Sequence, residues 1–229
     1  MLFRISAILV VFLIFASSAV FADTDELVEL ENRLQNCEER WCLSVAQPPS
    51  PWPHPLKTRT ISIEEHPAIV IDIPSGFSRM RRTDYFLMFI YDNKKVLSIE
   101  EITKEAFPEL RENTKNSKMT MADAAHATFT KTTQVKVPDC PDDKKFWYWS
   151  MFFKMAFFEN AHPVFSSKKG SLTIYYLSNK LSGGVLKNSA VIVNDSSPYY
   201  ILKLGSANMS FDEFKSIIGT IKEKKVVTP

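Results

Sequence analysis

The clearest strand-then-helix pattern in the chain is Tyr199-Tyr200-Ile201-Leu202-Lys203-Leu204, followed closely by Ser210-Phe211-Asp212-Glu213-Phe214. The first part predicts a strand, because aromatic and β-branched residues follow the turn residues 194–198. Ser210 and Glu213 have the spacing of a helix capping box, and Met209 and Phe214 form the hydrophobic staple across it. The chain therefore closes with a strand and an amphipathic helix. Its predicted buried face consists of Phe211, Phe214, Ile217, Ile218 and Ile221.

The preceding residues predict a series of further strands and one more helix. Alternation and turn residues place strands at 69–73, 85–91, 127–137, 172–177 and 190–193. A second capping box, Ser98 with Glu101, predicts a helix that buries Ile99, Ile102 and Ala106 and ends or kinks near Pro108. This order predicts an α+β fold, in which an antiparallel sheet is flanked by helices.

Two segments carry a resemblance to a known family. The turn Ile73-Pro74-Ser75-Gly76-Phe77 after an opening strand, together with the strand and helix at 199–218, resembles the Mog1/PsbP-like group. The resemblance covers the two ends of the region from about Lys57 to Lys222. It implies an antiparallel sheet sandwiched by helices and a binding or accessory role without catalysis, and it supplies no catalytic residues.

The stretch 146–158 is the most aromatic part of the chain. Trp147, Trp149, Met151, Phe153, Met155 and Phe157 alternate with their neighbours, which predicts a central strand covered on both sides. A helix also fits in part, through Phe146, Trp149, Phe153 and Phe157. These aromatics are interpreted either as plain core or as a groove for a small apolar ligand, formed by Trp147, Trp149, Phe153 and Phe157.

The first 22 residues predict a secretory signal peptide. Arg4 precedes an apolar run from Ile5 to Phe15, and small residues lead to a predicted cleavage between Ala22 and Asp23. An uncleaved membrane anchor is the alternative, since the apolar stretch is long enough. No later segment predicts a membrane span. We therefore expect a periplasmic or secreted protein.

Two short segments separate the signal from the predicted globular domain, residues 57–229. Residues 23–45 predict an amphipathic helical arm, and residues 23–44 hold seven acidic and two basic side chains. The arm is either a solvated helix face or a segment that docks on its own, more basic domain or on a basic partner. Residues 46–56 are proline-rich and predict a stiff connector, with a ligand for an aromatic groove as the alternative.

The three cysteines are Cys37, Cys42 and Cys140. In an oxidising compartment two of them are expected to pair, and the sequence leaves all three pairings open. We favour the local Cys37–Cys42 bridge, although in a continuous helix two residues five positions apart point in directions too different for a disulfide.

No phosphate-binding loop, nucleophile elbow or zinc-protease motif occurs in the chain, and the four histidines are scattered. We therefore predict no cofactor, no metal and no catalytic residues. The compartment and the lack of a concentrated basic stripe disfavour nucleic acid. The leading hypothesis is a non-enzymatic binding or accessory protein, with an immunity-like role among those that fit, acting through contacts with a protein partner. The alternatives are a carrier of a small ligand or lipid, and an enzyme with Cys140 as nucleophile.

Overall fold

The computed structural model describes residues 24–64, 66–83, 86–106, 114–158, 162–181 and 183–224. The predicted signal peptide, its cleavage site at Ala22 and Asp23, and Pro108 lie outside these residues. The helices in the described part are α1 (Thr24–Gln35), α2 (Arg40–Leu43), α3 (Met121–Thr130), α4 (Pro141–Phe158) and α5 (Phe211–Ile218). Single 3-10 turns lie at Asp92–Lys94 and Lys104–Ala106.

The strands form two antiparallel sheets. They are β1 (Thr60–Ile63), β2 (Ile69–Pro74), β3 (Arg79–Arg82), β4 (Phe86–Ile90), β5 (Val96–Ile102), β6 (Phe165–Lys169), β7 (Leu172–Lys180), β8 (Leu186–Asn194), β9 (Ile201–Ala207) and β10 (Lys222–Glu223). The seven-stranded sheet has the order β3-β4-β5-β9-β8-β7-β6, and the small sheet has the order β1-β2-β10. The fold is therefore mixed α+β with antiparallel sheets, as predicted.

One face of the large sheet is covered by the small sheet and by α5. Strand alternation directs one set of apolar side chains from each central strand to this face, and Ile69, Ile71 and Ile73 of β2 pack against them. The predicted closing helix is confirmed: Ser210 caps it by accepting the backbone N–H of Glu213. Phe214 and Ile217 are fully buried in this layer.

The other face is covered by α3 and α4. Tyr175, Val191 and Val193 project from this face and pack against Phe129 of α3 and Phe157 of α4. Residues 127–137 do not form the predicted strand, because Thr120 and Asp123 form a reciprocal capping box that starts α3 in an alanine-rich segment.

The predicted strand at 146–158 is also wrong, because these residues belong to the 18-residue helix α4. Almost every residue there is apolar, so a period of two and a period of 3.6 fit equally well. Pro141 at the first helical position and the acidic pair Asp142 and Asp143 in the first turn favour the helix. An unbroken run of this length is long for a strand and ordinary for a helix.

The predicted helix after Ser98 is wrong as well. Val96–Ile102 is β5, which pairs with β4 on one side and β9 on the other. Ser98 and Glu101 match the capping-box spacing, yet Leu97 and Ile99 alternate with polar residues and point to one face of the sheet. Tertiary pairing on both sides therefore outweighs the local capping signal.

The acidic arm docks on its own domain as helix α1. Leu34 is buried against Trp147 and Met151 of α4, and the Glu31 carboxylate lies 2.8 Å from the Lys144 ammonium. The Thr133 hydroxyl donates to the Leu34 carbonyl at 2.7 Å. These contacts favour docking on its own domain over a purely solvated arm.

The proline-rich segment runs along the edge of the large sheet as a strap. Gln47 and Ser50 donate their backbone N–H groups to the carbonyls of Val164 and Ser166, next to and in β6. Further on, the Trp52 indole donates to the Gly219 carbonyl at 3.2 Å. The strap therefore joins the helical side of the sheet to α5, and it is packed rather than a free spacer.

Candidate functional site

The four aromatic residues singled out as ligand or interface candidates lie on different sides of α4. Trp147 packs under α1, whereas Trp149, Phe153 and Phe157 lie toward α3 and the sheet. The space beside the latter three has a volume of about 20 Å³, which is room for roughly one water molecule. The four candidate aromatics are therefore divided between two sides of a helix, with Trp147 in one cluster and the other three in the core between α3, α4 and the sheet.

Cys37 and Cys42 form the local disulfide, which links the end of α1 to α2. The helix breaks between them at residues 36–39, so the unfavourable angle expected of a continuous helix does not arise. Cys140 is a free, exposed cysteine just before α4. Its carbonyl accepts the Lys144 N–H, and no described side chain hydrogen-bonds to its thiol. No nucleophile–base pair is therefore formed around Cys140 by the described residues.

A pocket of about 230 Å³ opens between the two sheets. We call it the inter-sheet pocket. Its lining surface is about half apolar, and its polar side chains are those of four residues: His66, Arg82, Thr83 and Glu101. The apolar lining residues are Ile63, Ile69, Ile71, Phe86, Leu87, Ile99 and Leu202. Pockets with apolar walls and a few converging polar groups are typical of small-molecule sites.

Glu101 lies on the inner face of β5. Leu97 and Ile99 precede it at strand spacing and are buried against the small sheet, so the pleat directs Glu101 to the same side. Burial raises the pKa of the Glu101 carboxyl above its ordinary value. Among the described residues no hydrogen bond or ion pair reaches this carboxylate, so the cost of its burial is not offset.

His66, in the turn between β1 and β2, forms part of the pocket wall. Its Nδ1 accepts the Ala68 N–H at 3.0 Å, which places the ring proton on Nε2. Nε2 is buried and has no hydrogen-bond partner among the described residues. Burial, and then the charge of Lys224, lowers the pKa of His66 to about 4. His66 is therefore neutral at physiological pH.

Strand β3, at one edge of the large sheet, is basic, and all four of its residues are exposed. Its sequence is Arg79-Met80-Arg81-Arg82. The Thr83 N–H donates to the Phe86 carbonyl at 3.0 Å, which closes the β3–β4 hairpin. Since backbone groups alternate in direction along an antiparallel strand, the N–H and C=O groups of Met80 point away from β4.

The two edges of the large sheet differ. The strap covers the β6 edge, where Ser50 forms a parallel bridge with Ser167. No described segment pairs with the outer side of β3. The large sheet thus has one edge closed by its own chain and one basic edge that no described segment covers.

A cluster of polar side chains links α3 to the sheet. The two ring nitrogens of His126 lie 2.8 Å from the Tyr175 hydroxyl and 2.8 Å from the Asp195 carboxylate. Lys168 lies 3.7 Å from the same carboxylate. Because Tyr175 stacks on Phe129 and is buried, this chain of hydrogen bonds holds α3 on the sheet.

Neither comparison with known proteins gives a match: no protein-family model fits the chain, and no curated protein is significantly similar to it. In the described part of the chain no group of three or more histidine, cysteine or acidic side chains is arranged to hold a metal ion. Likewise, none of the described helices is long and apolar enough to cross a membrane.

Sequence reasoning did not single out β3, Glu101 or His66 as site residues. The four residues of β3 contain no apolar alternation that would predict a strand. Glu101 was assigned to a helix cap, where its carboxylate would be solvated. The strand pairing of 96–102 is the observation that brings Glu101 to the pocket.

Proposed function

We propose that this protein is a non-enzymatic binding or accessory module that acts outside the cytoplasm through contacts with a protein partner. The surface that we assign to this role is the edge strand β3, and the occupant is an extended acidic segment of the partner. The main support for the proposal is the basic edge that no described segment covers, in contrast to the strap-covered edge at β6.

The backbone of β3 supports strand addition. An exposed edge strand offers N–H and C=O groups to a further strand, and proteins recognise extended peptides in this way. Met80 directs its backbone groups outward, and its side chain is 53% exposed. A partner strand would therefore gain main-chain hydrogen bonds without any rearrangement of the β3–β4 hairpin.

Charge decides the kind of partner. Arg79 and Arg81 lie on one face of β3, so acidic side chains are favoured on the same face of an added strand. The acidic arm of this chain is not the occupant, because Glu31 is already held by Lys144 on α4. Arginines on an edge strand also discourage aggregation, and the experiment below separates that role from recognition.

The compartment follows from the predicted signal peptide and is supported by the Cys37–Cys42 disulfide, because disulfides persist in oxidising compartments. The resemblance to Mog1/PsbP-like domains supports an accessory role of the same kind.

The test is a titration with a peptide of about eight residues that alternates glutamate and valine, which is within the usual range of strand lengths and long enough to span the four residues of β3. The glutamate–valine peptide should bind the wild-type protein. It should bind the Arg79→Gln/Arg81→Gln variant at least about tenfold more weakly. A peptide of the same length that alternates lysine and valine should not bind.

The matched control is Lys168→Gln/Lys169→Gln, which removes the same charge from the covered edge strand β6. This control should keep the wild-type affinity. Two results would mean that the protein recognises only net charge and would overturn the proposal. The first is an equal loss of peptide affinity in the two variants, and the second is a wild-type affinity for a DNA oligonucleotide of the same charge that equals its affinity for the peptide.

A further inference from the structure

The inter-sheet pocket contains a negative charge that the described part of the protein does not neutralise. Glu101 lies on the inner face of β5, and the residues before it on that face, Leu97 and Ile99, are apolar and buried. Its carboxylate is only partly buried and lines the pocket, so it is accessible from the cavity. A half-buried carboxylate without a partner gains free energy when a cation binds next to it.

The neighbouring polar groups do not supply that cation. His66 is neutral, since burial holds its pKa at about 4. Lys224 donates to the Glu64 carbonyl at 2.8 Å and is not among the lining residues. Arg82 lines the pocket but its side chain is exposed, so water screens its charge. Among the charged groups of the pocket lining, Glu101 is therefore the one that solvent screens least from a bound ligand.

The remaining walls determine the rest of the ligand. Ile71, Ile99 and Leu202 present aliphatic surface, and Phe86 adds an aromatic ring that can also interact with a cation. The volume of about 230 Å³ is below the roughly 300–1,000 Å³ of pockets for drug-sized molecules. The site therefore fits a compact molecule with one charged end and a short apolar body.

We propose that the inter-sheet pocket binds a small amphipathic amine, whose ammonium group pairs with Glu101 and whose apolar part lies between β2 and the large sheet. This site is separate from the outer side of β3, and the proposal stands whether or not that edge binds a protein. The binding is reversible and involves no covalent step.

The probe for the test is 2-phenylethylamine, compared with the neutral 2-phenylethanol and the anionic 3-phenylpropanoate. Binding to the full mature chain is measured by protein-observed NMR titration near neutral pH. The amine should shift the resonances of Ile71, Ile99 and Leu202, and it should bind at least about tenfold more tightly than the neutral alcohol.

Two neighbouring glutamates provide a matched pair of variants. Glu101→Gln keeps the size of the side chain and should abolish the preference for the amine over the alcohol. Glu100→Gln changes the adjacent residue, which lies on the opposite face of β5 and pairs with Lys203 at 2.9 Å. This variant should bind the amine as the wild type does.

Thermal unfolding keeps the comparison interpretable. Glu101→Gln removes an unpartnered, half-buried charge, so its midpoint should not fall below that of the wild type. Three results would overturn the proposal: equal affinity for the amine and the alcohol, an unchanged amine affinity in Glu101→Gln, or no shift at pocket residues with the amine at about 10 mM. Tighter binding of the anion would also overturn it and would assign the pocket to Arg82.

Discussion

Lys154 is a buried lysine whose charge should affect the stability of the protein. Its side chain is completely buried within α4, and its ammonium donates to the carbonyls of Ser44 and Thr128 and lies 4.3 Å from the centre of the Phe158 ring. No carboxylate pairs with it among the described residues. Burial lowers the pKa of Lys154 from 10.5 to about 8.

This shift makes stability depend on pH with a defined sign. Between about pH 8 and 10.5 the unfolded chain binds more protons at Lys154 than the folded chain. The free energy of unfolding therefore rises with pH across this window, and below pH 8 the full penalty of the buried charge is present. At about 1.4 kcal/mol per unit of pKa, the Lys154 contribution rises by roughly 2 kcal/mol between pH 7 and 10.

The perturbation is Lys154→Met, which keeps the length of the side chain and removes the charge. Urea unfolding of both proteins, followed by tryptophan fluorescence, is measured at pH 7, 8, 9 and 10. Cys140→Ser is included in both, because the exposed thiol would exchange with the disulfide at high pH. Groups common to the two proteins cancel in the difference.

We expect the difference in unfolding free energy, wild type minus variant, to rise by roughly 2 kcal/mol from pH 7 to 10. The carbonyls of Ser44 and Thr128 lose their donor in the variant at every pH, so they shift the whole curve without changing its slope. A difference that stays constant over this range would refute the argument that Lys154 is buried with a lowered pKa.

Three further substitutions test the packing. Gly219→Ala places a Cβ 2.5 Å from the Pro53 carbonyl oxygen. This clash should displace the strap and lower the free energy of unfolding, measured in urea, by about 1–3 kcal/mol. Unchanged stability would contradict the close contact between the strap and Gly219. Asp143→Ala removes an acceptor for Ser117, Lys118 and Met119, and should lower the free energy of unfolding by about 2 kcal/mol at pH 7. Burial alone would raise the pKa of Asp143, but these hydrogen bonds outweigh it and lower the pKa. The loss of stability in the variant should therefore shrink as pH falls below 4. Leu34→Ala should cost about 2–4 kcal/mol in the same assay if α1 is docked, and almost nothing if it is not.

The strands of the second half of the chain were predictable from the sequence. Leu172–Leu177 and Ala190–Val193 are β-branched and aromatic runs bounded by turn residues, and both are confirmed as parts of β7 and β8. Here local propensity, hydrophobic pattern and turn chemistry agree, which is the condition under which a sequence specifies its structure.

The elements that were missed are those in which two local signals conflict. In α4 the apolar residues are so dense that no single period stands out, and the helix is favoured by its first turn and by packing on α1 and α3. In β5 a capping-box match competed with alternation, and pairing with β4 and β9 settled the result. Such long-range pairing is not visible in a local window.

The candidate sites depend on these same elements. Arg79–Arg82 becomes an edge strand only because it pairs with β4, and nothing in its composition distinguishes it from a charged loop. Glu101 enters the inter-sheet pocket only when residues 96–102 form a strand. The Cys37–Cys42 pair, in contrast, was favoured in advance, and a break in the helix at 36–39 allows it.

Amide hydrogen exchange at β3 distinguishes strand addition at this edge from other modes of peptide binding. With the glutamate–valine peptide bound, the Met80 amide, which points away from β4, should become protected from exchange. The Arg81 amide, which points toward β4, should change little. Protection at Met80 without a matching change at Arg81 is the result that strand addition predicts. An unchanged Met80 amide, in a complex that the titration shows to be formed, would contradict the assignment of β3 as the binding edge.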